Sequence, residues 1–457
     1  MTTVYDTLSS IYKDIGCWLA EAFAEYGLVF GALHSFQEFI WGFAGIFIVL
    51  SLGVYFSLRS NFMQFSAYKK AIKYIFNSRK VKYEADEISP LRAFFASLGG
   101  CVGVGNLVTI SLAIHWGGPG AIFWMWLIAF FGVMLKYAEI FLGLKYRLRT
   151  TDGGYVGGPM YFLQKAFNGK TMAVLMALLM CLYGVEIFMF NVIKNTFVQN
   201  YSLDSNLVTF VLLVLILIGV KDGVKSIGAI NATMIPFFIV IFFITTIWVL
   251  CLNHTKLGDT FNLIFSSAFT GHAAIGAFAG SALFSTISNG VAGACYSGDI
   301  GIGYESIMHS SAKVSDSKSH ASLSFLNIFL DTFVVCTCTA LIVIITGVWH
   351  TSVPPELMLQ TALEQYFPWI KYIMPIFIFL LAYTTIISYF GAGLSCAKFI
   401  SPKYGRQVFY VLGVITFVVF SFFGTKHAAI IMYSSGAGLM LINSIGIFKL
   451  RKEIDFH

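Results

Sequence analysis

Apolar residues run through the chain in long stretches, parted by short segments rich in glycine, proline or charge. The stretches 36–56, 122–144, 207–220, 234–252 and 323–348 are almost free of charge. A helix needs about 20 apolar residues to cross roughly 30 Å of hydrocarbon. A membrane β-barrel would alternate apolar and polar positions over segments of about ten residues, and these runs do not alternate. The pattern predicts an all-α integral membrane protein with about 11 transmembrane helices. One extra helix at 36–56 comes first. A set of five follows at 94–114, 120–147, 171–198, 207–220 and 227–251, then a second five at 263–290, 321–347, 371–396, 406–423 and 428–448. Five is odd, so the second set enters the membrane from the opposite side, which makes an inverted repeat. The expected units are 1–93 (amphipathic segment, extra helix and basic loop), 94–253, 254–448 and a cytoplasmic tail at 449–457. Residues 4–30 read as an amphipathic helix near the outer interface. Glu21 and Glu25 interrupt their apolar positions and no basic stretch precedes them, which argues against a cleavable signal peptide.

Composition agrees: 58% of the residues are hydrophobic and 11% charged. Soluble domains carry roughly 45–50% apolar and about 25% charged residues, so the solvent for this chain is lipid. The net charge of +7 could suggest a nucleic-acid partner, but its placement says otherwise. Arg59, Lys69, Lys70, Lys73, Lys80 and Lys82 follow the first span, and alternating sides from there collects most of the 29 basic residues on one face. Basic loops stay in the cytoplasm. The expected placement is therefore multi-pass in the plasma (inner) membrane, N-terminus outside and C-terminus cytoplasmic.

Little else suggests chemistry. The cysteines, among them Cys101, Cys181, Cys251, Cys336, Cys338 and Cys396, fall in or beside apolar runs and read as free thiols. The histidines have no metal-binding spacing, and His309 and His320 read as loop or interface residues. Gly393-Leu-Ser395-Cys-Ala397 only half-matches a nucleophile elbow and lies within a helix. Gly103-Val-Gly105 lacks the third glycine of a dinucleotide fingerprint. No enzyme and no resident cofactor are expected.

Glycines and buried charges carry more. Gly99, Gly100, Gly103 and Gly105 crowd the first helix of the first set, and Gly271, Gly276 and Gly280 fall in the first helix of the second. Each costs about 1 kcal/mol relative to alanine inside a helix. Two readings compete: close packing of helices, or broken helices whose free N–H and C=O groups meet a substrate and a cation near mid-membrane. Lys136 and Glu139 are three apart and can pair with each other. Asp331 has structural partnering or gating open to it. Glu186 lies amid apolar neighbours, where a carboxylate can take up a proton, reach towards Lys194, or face a central cavity and hold a substrate amine. The adjacent Thr384 and Thr385 read on their own as hydroxyls bonded back to the helix.

Several segments, in order, resemble the alanine or glycine:cation symporter family. They are Ser97-Leu-Gly-Gly-Cys-Val-Gly103-Val-Gly105-Asn106, Gly117-Gly-Pro-Gly-Ala-Ile-Phe-Trp-Met-Trp126, Lys136-Tyr-Ala-Glu139, Lys145-Tyr-Arg147, Gly157-Gly-Pro-Met-Tyr161, Gly276-Ala-Phe-Ala-Gly-Ser281, Asp331-Thr332 and Tyr383-Thr-Thr-Ile386. The resemblance runs over about 36–445. It implies a leucine-transporter-like fold of inverted five-helix repeats and sodium-coupled uptake of alanine or glycine. By position it implies a substrate carboxylate on the amides of Val104 and Gly105 beside Asn106. The opposite wall would come from Phe278, Ala279, Gly280 and Ser281. Sodium would sit among the carbonyls of Gly99, Val102 and Leu381 and the hydroxyls of Thr384 and Thr385. The chain departs from the family where its Gly-Thr-Gly-Asn becomes Gly103-Val104-Gly105-Asn106. Its cytoplasmic Arg-Gly-Leu-Phe-Ser-Asn-Glu-Ala-Gly-x-Gly-Ser-Ala-Pro becomes Gly293-Ala-Cys-Tyr-Ser-Gly-Asp-Ile-Gly-Ile-Gly-Tyr-Glu-Ser306. The family's polar third helix also becomes Gly184-Val-Glu186 onward. The alternatives are proton coupling, a passive facilitator or channel, a membrane enzyme, and a nutrient receptor that has lost transport. The expected partners are a small amino acid, a cation and lipid.

Overall fold

The computed structural model describes residues 27–78, 80–84, 87–150, 153–270, 279–423 and 425–456. The expected helix at 4–30 falls almost wholly outside them, as do Gly271 and Gly276.

The extra helix is α1 (Val29–Arg59), with one π turn at Ile40–Ala44. A short amphipathic helix, α2 (Gln64–Ser78), follows. It packs through Ala67 and Ala71 and exposes Lys69, Lys70 and Lys73 beside Phe65 and Phe76, the mixture expected of a helix lying at a membrane surface.

The first set opens with α3 (Pro90–Cys101), started by the Ser89 hydroxyl, which accepts from the Arg92 amide, with Pro90 in the first turn. It resumes as α4 (Gly105–Gly117). Then come α5 (Ala121–Lys145), the short α6 (Pro159–Ala166), α7 (Thr171–Tyr183), α8 (Ile187–Tyr201), α9 (Ser205–Gly219) and α10 (Val224–Leu252). Asp204 starts α9 by accepting from the amides of Asn206 and Leu207. The second part of the chain holds α11 (Leu257–Thr270), α12 (Ala279–Ser297), α13 (Tyr304–Ser310), α14 (Ser317–Ile345), α15 (Pro355–Glu364), α16 (Ile370–Ile400), α17 (Gly405–Phe420) and α18 (Thr425–Lys449). Among the described residues, eight helices are long and apolar enough to cross a membrane, and α9 and α17 are shorter apolar helices.

Burial separates the inner from the outer helices. The most apolar stretch of α3–α4 is 94% buried and that of α10 only 28%. Helix α10 turns Phe237, Val240, Ile244 and Trp248 outward, while its other face packs on α3. Helix α12 lies against α4 and α5, and α16 against α7 and α8.

Three breaks depart from the even spans read from hydropathy. The span at 171–198 is two helices, interrupted at Gly184–Glu186. Helix α14 carries a π segment, Phe329–Cys336, around Asp331; such segments gather at functional positions. The third corrects the expected span at 263–290. Helix α12 continues past the expected end to Ser297, breaks over 298–303 and resumes as α13. Asp299, Gly301 and Gly303 take left-handed backbone there, at φ 51°, 77° and 104°. Residues 293–310, expected as a cytoplasmic loop at 293–306, are buried throughout.

The final segment is not a free tail. Arg59 at the end of α1 donates to the carbonyl of Arg451. Lys145 pairs with Glu453 at 2.8 Å, and Tyr137 donates to the carbonyl of Asp455 at 2.9 Å. Phe456, 4% exposed, packs on the rings of Phe56 and Tyr137.

Candidate substrate and ion site

Helix α3 stops because Val102 leaves helical geometry, at φ −79° and ψ 86°. Asn106 then bridges the gap: its Oδ1 accepts from the Gly103 amide at 3.0 Å, and its Nδ2 donates to the carboxylate of Asp331 in the π segment. The Asn106 side chain is therefore committed to holding the break. Among the described residues, the amides of Val104 and Gly105 donate to no backbone carbonyl, as expected of a helix start.

The four glycines divide into two kinds. A methyl on Gly99 would lie 1.8 Å from Asn231, on Gly100 2.4 Å from the Tyr304 ring, and on Gly103 2.2 Å from the Thr385 hydroxyl. These three are packing glycines. A methyl on Gly105 would meet nothing nearer than 3.5 Å, because Gly105 opens on a cavity.

That cavity is lined by Gly100, Cys101, Gly103 and Gly105 from the first broken span, and by Tyr296 and Ser297 from the second. Tyr183, Glu186 and Met189 close it from the α7–α8 break, and Thr385 and Tyr389 from α16. The free space takes about one water molecule. Glu186 sits in left-handed backbone at φ 52°, 1% exposed. For a non-glycine residue that conformation costs about 1–2 kcal/mol. Its Oε2 and the Tyr296 hydroxyl are buried without a hydrogen-bond partner among the described residues. Lys194 does not reach Glu186; it donates to the carbonyl of Ser421.

A group of oxygens converges on α16 beside the first break. The Thr385 hydroxyl is shared between the carbonyls of Gly99 at 3.1 Å and Leu381 at 3.0 Å. The Thr384 hydroxyl donates to the same Leu381 carbonyl at 2.7 Å. Gly99, Leu381, Thr384 and Thr385 are thus brought together, with Val102 next to the Gly103 that Thr385 touches. Of the expected opposite wall, Phe278 lies outside the described residues. Ala279, Gly280 and Ser281 open α12, roughly 25 Å along the helix from Tyr296. They are not at the cavity, because the second break lies at the other end of α12. Tyr296 and Ser297 take that place, and the signal for them was the spacing Gly298-x-x-Gly301-x-Gly303.

Lys136 does not pair with Glu139. It reaches into the second break, 3.0 Å from Glu305 Oε1, and donates to the carbonyl of Gly298. Glu139 accepts from Asn443 at 2.7 Å. Asp299 accepts from the Tyr389 hydroxyl and the Glu305 amide, both at 3.1 Å. The two histidines expected at loops or interfaces are wholly buried and bonded to each other, His309 Nδ1 to His320 Nε2 at 2.8 Å.

Two discontinuous spans facing each other across a small cavity is the geometry of a carrier with its binding site near mid-membrane. Comparison with known proteins agrees. The chain is similar to MhsT solved with L-phenylalanine, with a TM-score of 0.59 at 16% identity over 79% of this chain and 88% of that one. It is also similar to a Na+-coupled sialic acid symporter, with a TM-score of 0.52 at 12% identity over 90% and 87%. These likenesses establish the leucine-transporter-like fold. An uncharacterised transporter of Haemophilus influenzae is 30% identical over 92% of this chain and 94% of its own length. The sodium/alanine symporter AgcS of Methanococcus maripaludis is 29% identical over the same shares. The probable sodium/glutamine symporter GlnT of Bacillus subtilis is 28% identical over 92% of this chain and 87% of that protein. The model of the sodium:alanine symporter family matches residues 28–455, and the chain belongs to that family: it is a membrane transporter and not an enzyme.

Proposed function

We propose that this chain imports a small neutral amino acid, alanine or glycine, together with sodium by alternating access. The observation that carries the reading is the pairing of two broken spans around a cavity into which Glu186 reaches; among the described residues the amides of Val104 and Gly105 donate to no backbone carbonyl, and Glu186 Oε2 has no partner. In this reading the substrate carboxylate meets the amides of Val104 and Gly105, where the positive end of α4 points. Its ammonium meets Glu186. Sodium takes the oxygens of Gly99, Val102, Leu381, Thr384 and Thr385, and the shared proton of Thr385 turns away to free both carbonyls. The small cavity favours a small occupant, and it must widen to admit one. The units 94–253 and 254–448 rock against each other, with the basic face in the cytoplasm and the protein in the inner membrane. One positive charge moving down 100 mV releases about 2.3 kcal/mol, or roughly fifty-fold in substrate concentration at about 1.4 kcal/mol per decade.

The test uses purified protein in proteoliposomes with labelled alanine and glycine. Uptake should overshoot under an inward sodium gradient and disappear when the gradient is collapsed. Uptake indifferent to sodium, or none of either amino acid, overturns the reading. Counterflow with unlabelled substrate separates a carrier, which exchanges, from a pore, which does not.

A further inference from the structure

Sodium coupling leaves a second buried system without a role. Glu305 lies one residue into α13, where the family pattern has alanine, and it is wholly buried. Its Oε1 accepts from Cys101 at 3.0 Å, and Cys101 lines the cavity. The Ser97 hydroxyl bonds the same oxygen at 3.1 Å and His309 Nε2 at 3.0 Å. His309 Nδ1 meets His320 Nε2 at 2.8 Å, and His320 Nδ1 meets the hydroxyl of Tyr74 at 3.3 Å. Tyr74 is half-buried on α2, the surface helix that exposes Lys69, Lys70 and Lys73. The hydrogen bonds form one unbroken file from the cavity wall to the basic face. Every group along it can both give and take a proton.

We propose that this file carries protons between the cavity and the basic face, so that the transporter moves a proton as it cycles. The charge rests on Glu305 and on the two imidazoles. Cys101 and Ser97 stay neutral, each handing on one proton as it takes another. Written outward, Glu305 gives its proton to the Ser97 oxygen while Ser97 gives its own to His309 Nε2. The Nδ1 proton of His309 passes to His320 Nε2, and the Nδ1 proton of His320 passes through Tyr74 to water. Both rings end in the opposite tautomer, and the net change is one proton moved. Charges around the file suit the task. Lys136 and Glu139 on α5, Asp331 on α14, Asp299 in the break and Tyr304 at the start of α13 face Glu305. Lys136, Arg147 and Asp316 surround the histidines. Lys136 balances one carboxylate, and Glu305 Oε1 also accepts from Asn327, which donates to the Ser97 oxygen as well. Glu305 Oε2 has no partner among the described residues and can hold the proton, and a turn of the carboxyl then presents it to Ser97. The file does not depend on the sodium reading. It joins both broken spans to α14 and α2, so parting the spans breaks it, and a proton cannot pass freely in the open state.

The experiment uses proteoliposomes with a trapped pH dye, equal sodium on both sides and an imposed potential, with and without alanine. Proton flux should exceed that of protein-free vesicles. Glu305→Gln and His309→Gln should each bring it down to the protein-free rate. Tyr74→Phe, which removes only the last hydroxyl and serves if a buried variant fails to fold, should slow it. Sodium-driven uptake of labelled alanine, measured in the same vesicles, reports the sodium reading separately. Parent flux equal to that of protein-free vesicles in both conditions overturns the proposal. So does unchanged flux in folded Glu305→Gln or His309→Gln, which would leave the file as a bolt on a closed gate.

Discussion

At the scale of single residues, the glycine cluster separates two demands that a sequence presents as one. A methyl on Gly99 would come within 1.8 Å of Asn231, and one on Gly103 within 2.2 Å of Thr385. Gly99→Ala should therefore lower stability by about 1–3 kcal/mol, as overpacking does, read as a drop in melting temperature. Gly105→Ala should leave the fold intact, since its nearest contact would be 3.5 Å. Gly105→Leu should fold as well but abolish uptake, because its side chain fills the cavity. Normal uptake by that variant would remove the cavity from the transport path. Among the oxygens, Thr385 bridges two carbonyls and Thr384 only one. Thr385→Val should accordingly raise the sodium needed for half-maximal uptake more than Thr384→Val, with the double variant highest. Glu186→Gln should weaken affinity for the amino acid or shift the pH profile of uptake; a variant matching the parent in both makes Glu186 structural. The sequence showed the cluster, the threonine pair and the odd carboxylate. It did not show which glycine faces space, since that depends on Asn231, Tyr304 and Thr385, each over 100 positions away in the chain.

At the scale of elements, apolar runs located the spans but not their interruptions. Hydropathy averages over a helix length, so a break of three to six residues inside a buried span leaves no dip. The break at 102–104 was legible because four glycines marked it. The one at Gly184–Glu186 was not, because a glutamate in left-handed backbone has no sequence signature. The second broken span was misplaced because Gly271, Gly276 and Gly280 resembled the first cluster, while Gly298, Gly301 and Gly303 sat among residues that looked like a loop. Backbone angles show that Gly301 and Gly303 of the latter set take left-handed geometry. Gly303→Ala would force a side chain into φ 104° and bring it within 2.7 Å of Met176 and Pro159. The left-handed geometry alone costs about 1–2 kcal/mol, so this variant should melt earlier and lose transport even if it reaches the membrane. Full activity would mean that α13 can dock without that turn.

At the scale of the whole molecule, charge placement and span order were enough to suggest the inverted-repeat architecture, while the closing segment was read only as a cytoplasmic tail. Its anchors come from distant helices. Lys145 and Tyr146 hold the carboxyl of Glu453 below the usual carboxylate range, the lysine bond being the larger cause. A depressed carboxyl contributes stability above its ordinary titration range and loses it as pH falls through the lowered value. The partners are 38% and 34% exposed, so the pair is worth no more than about 1 kcal/mol. Glu453→Gln should lower the melting temperature slightly at neutral pH, and the difference from the parent should vanish in acid; a gap that persists there would assign the effect to packing. The same segment also sets an order of events. Arg59 and the carbonyl it holds at Arg451 are 392 residues apart in the chain, so α1 is made early and can be fastened only after every intervening span has been synthesised and inserted. Until then the first helix has only lateral contacts in the bilayer to keep it in place. A stalled or misinserted copy therefore leaves Phe56 and Tyr137 uncovered, a mark by which an unfinished molecule differs from a finished one before it has carried any substrate.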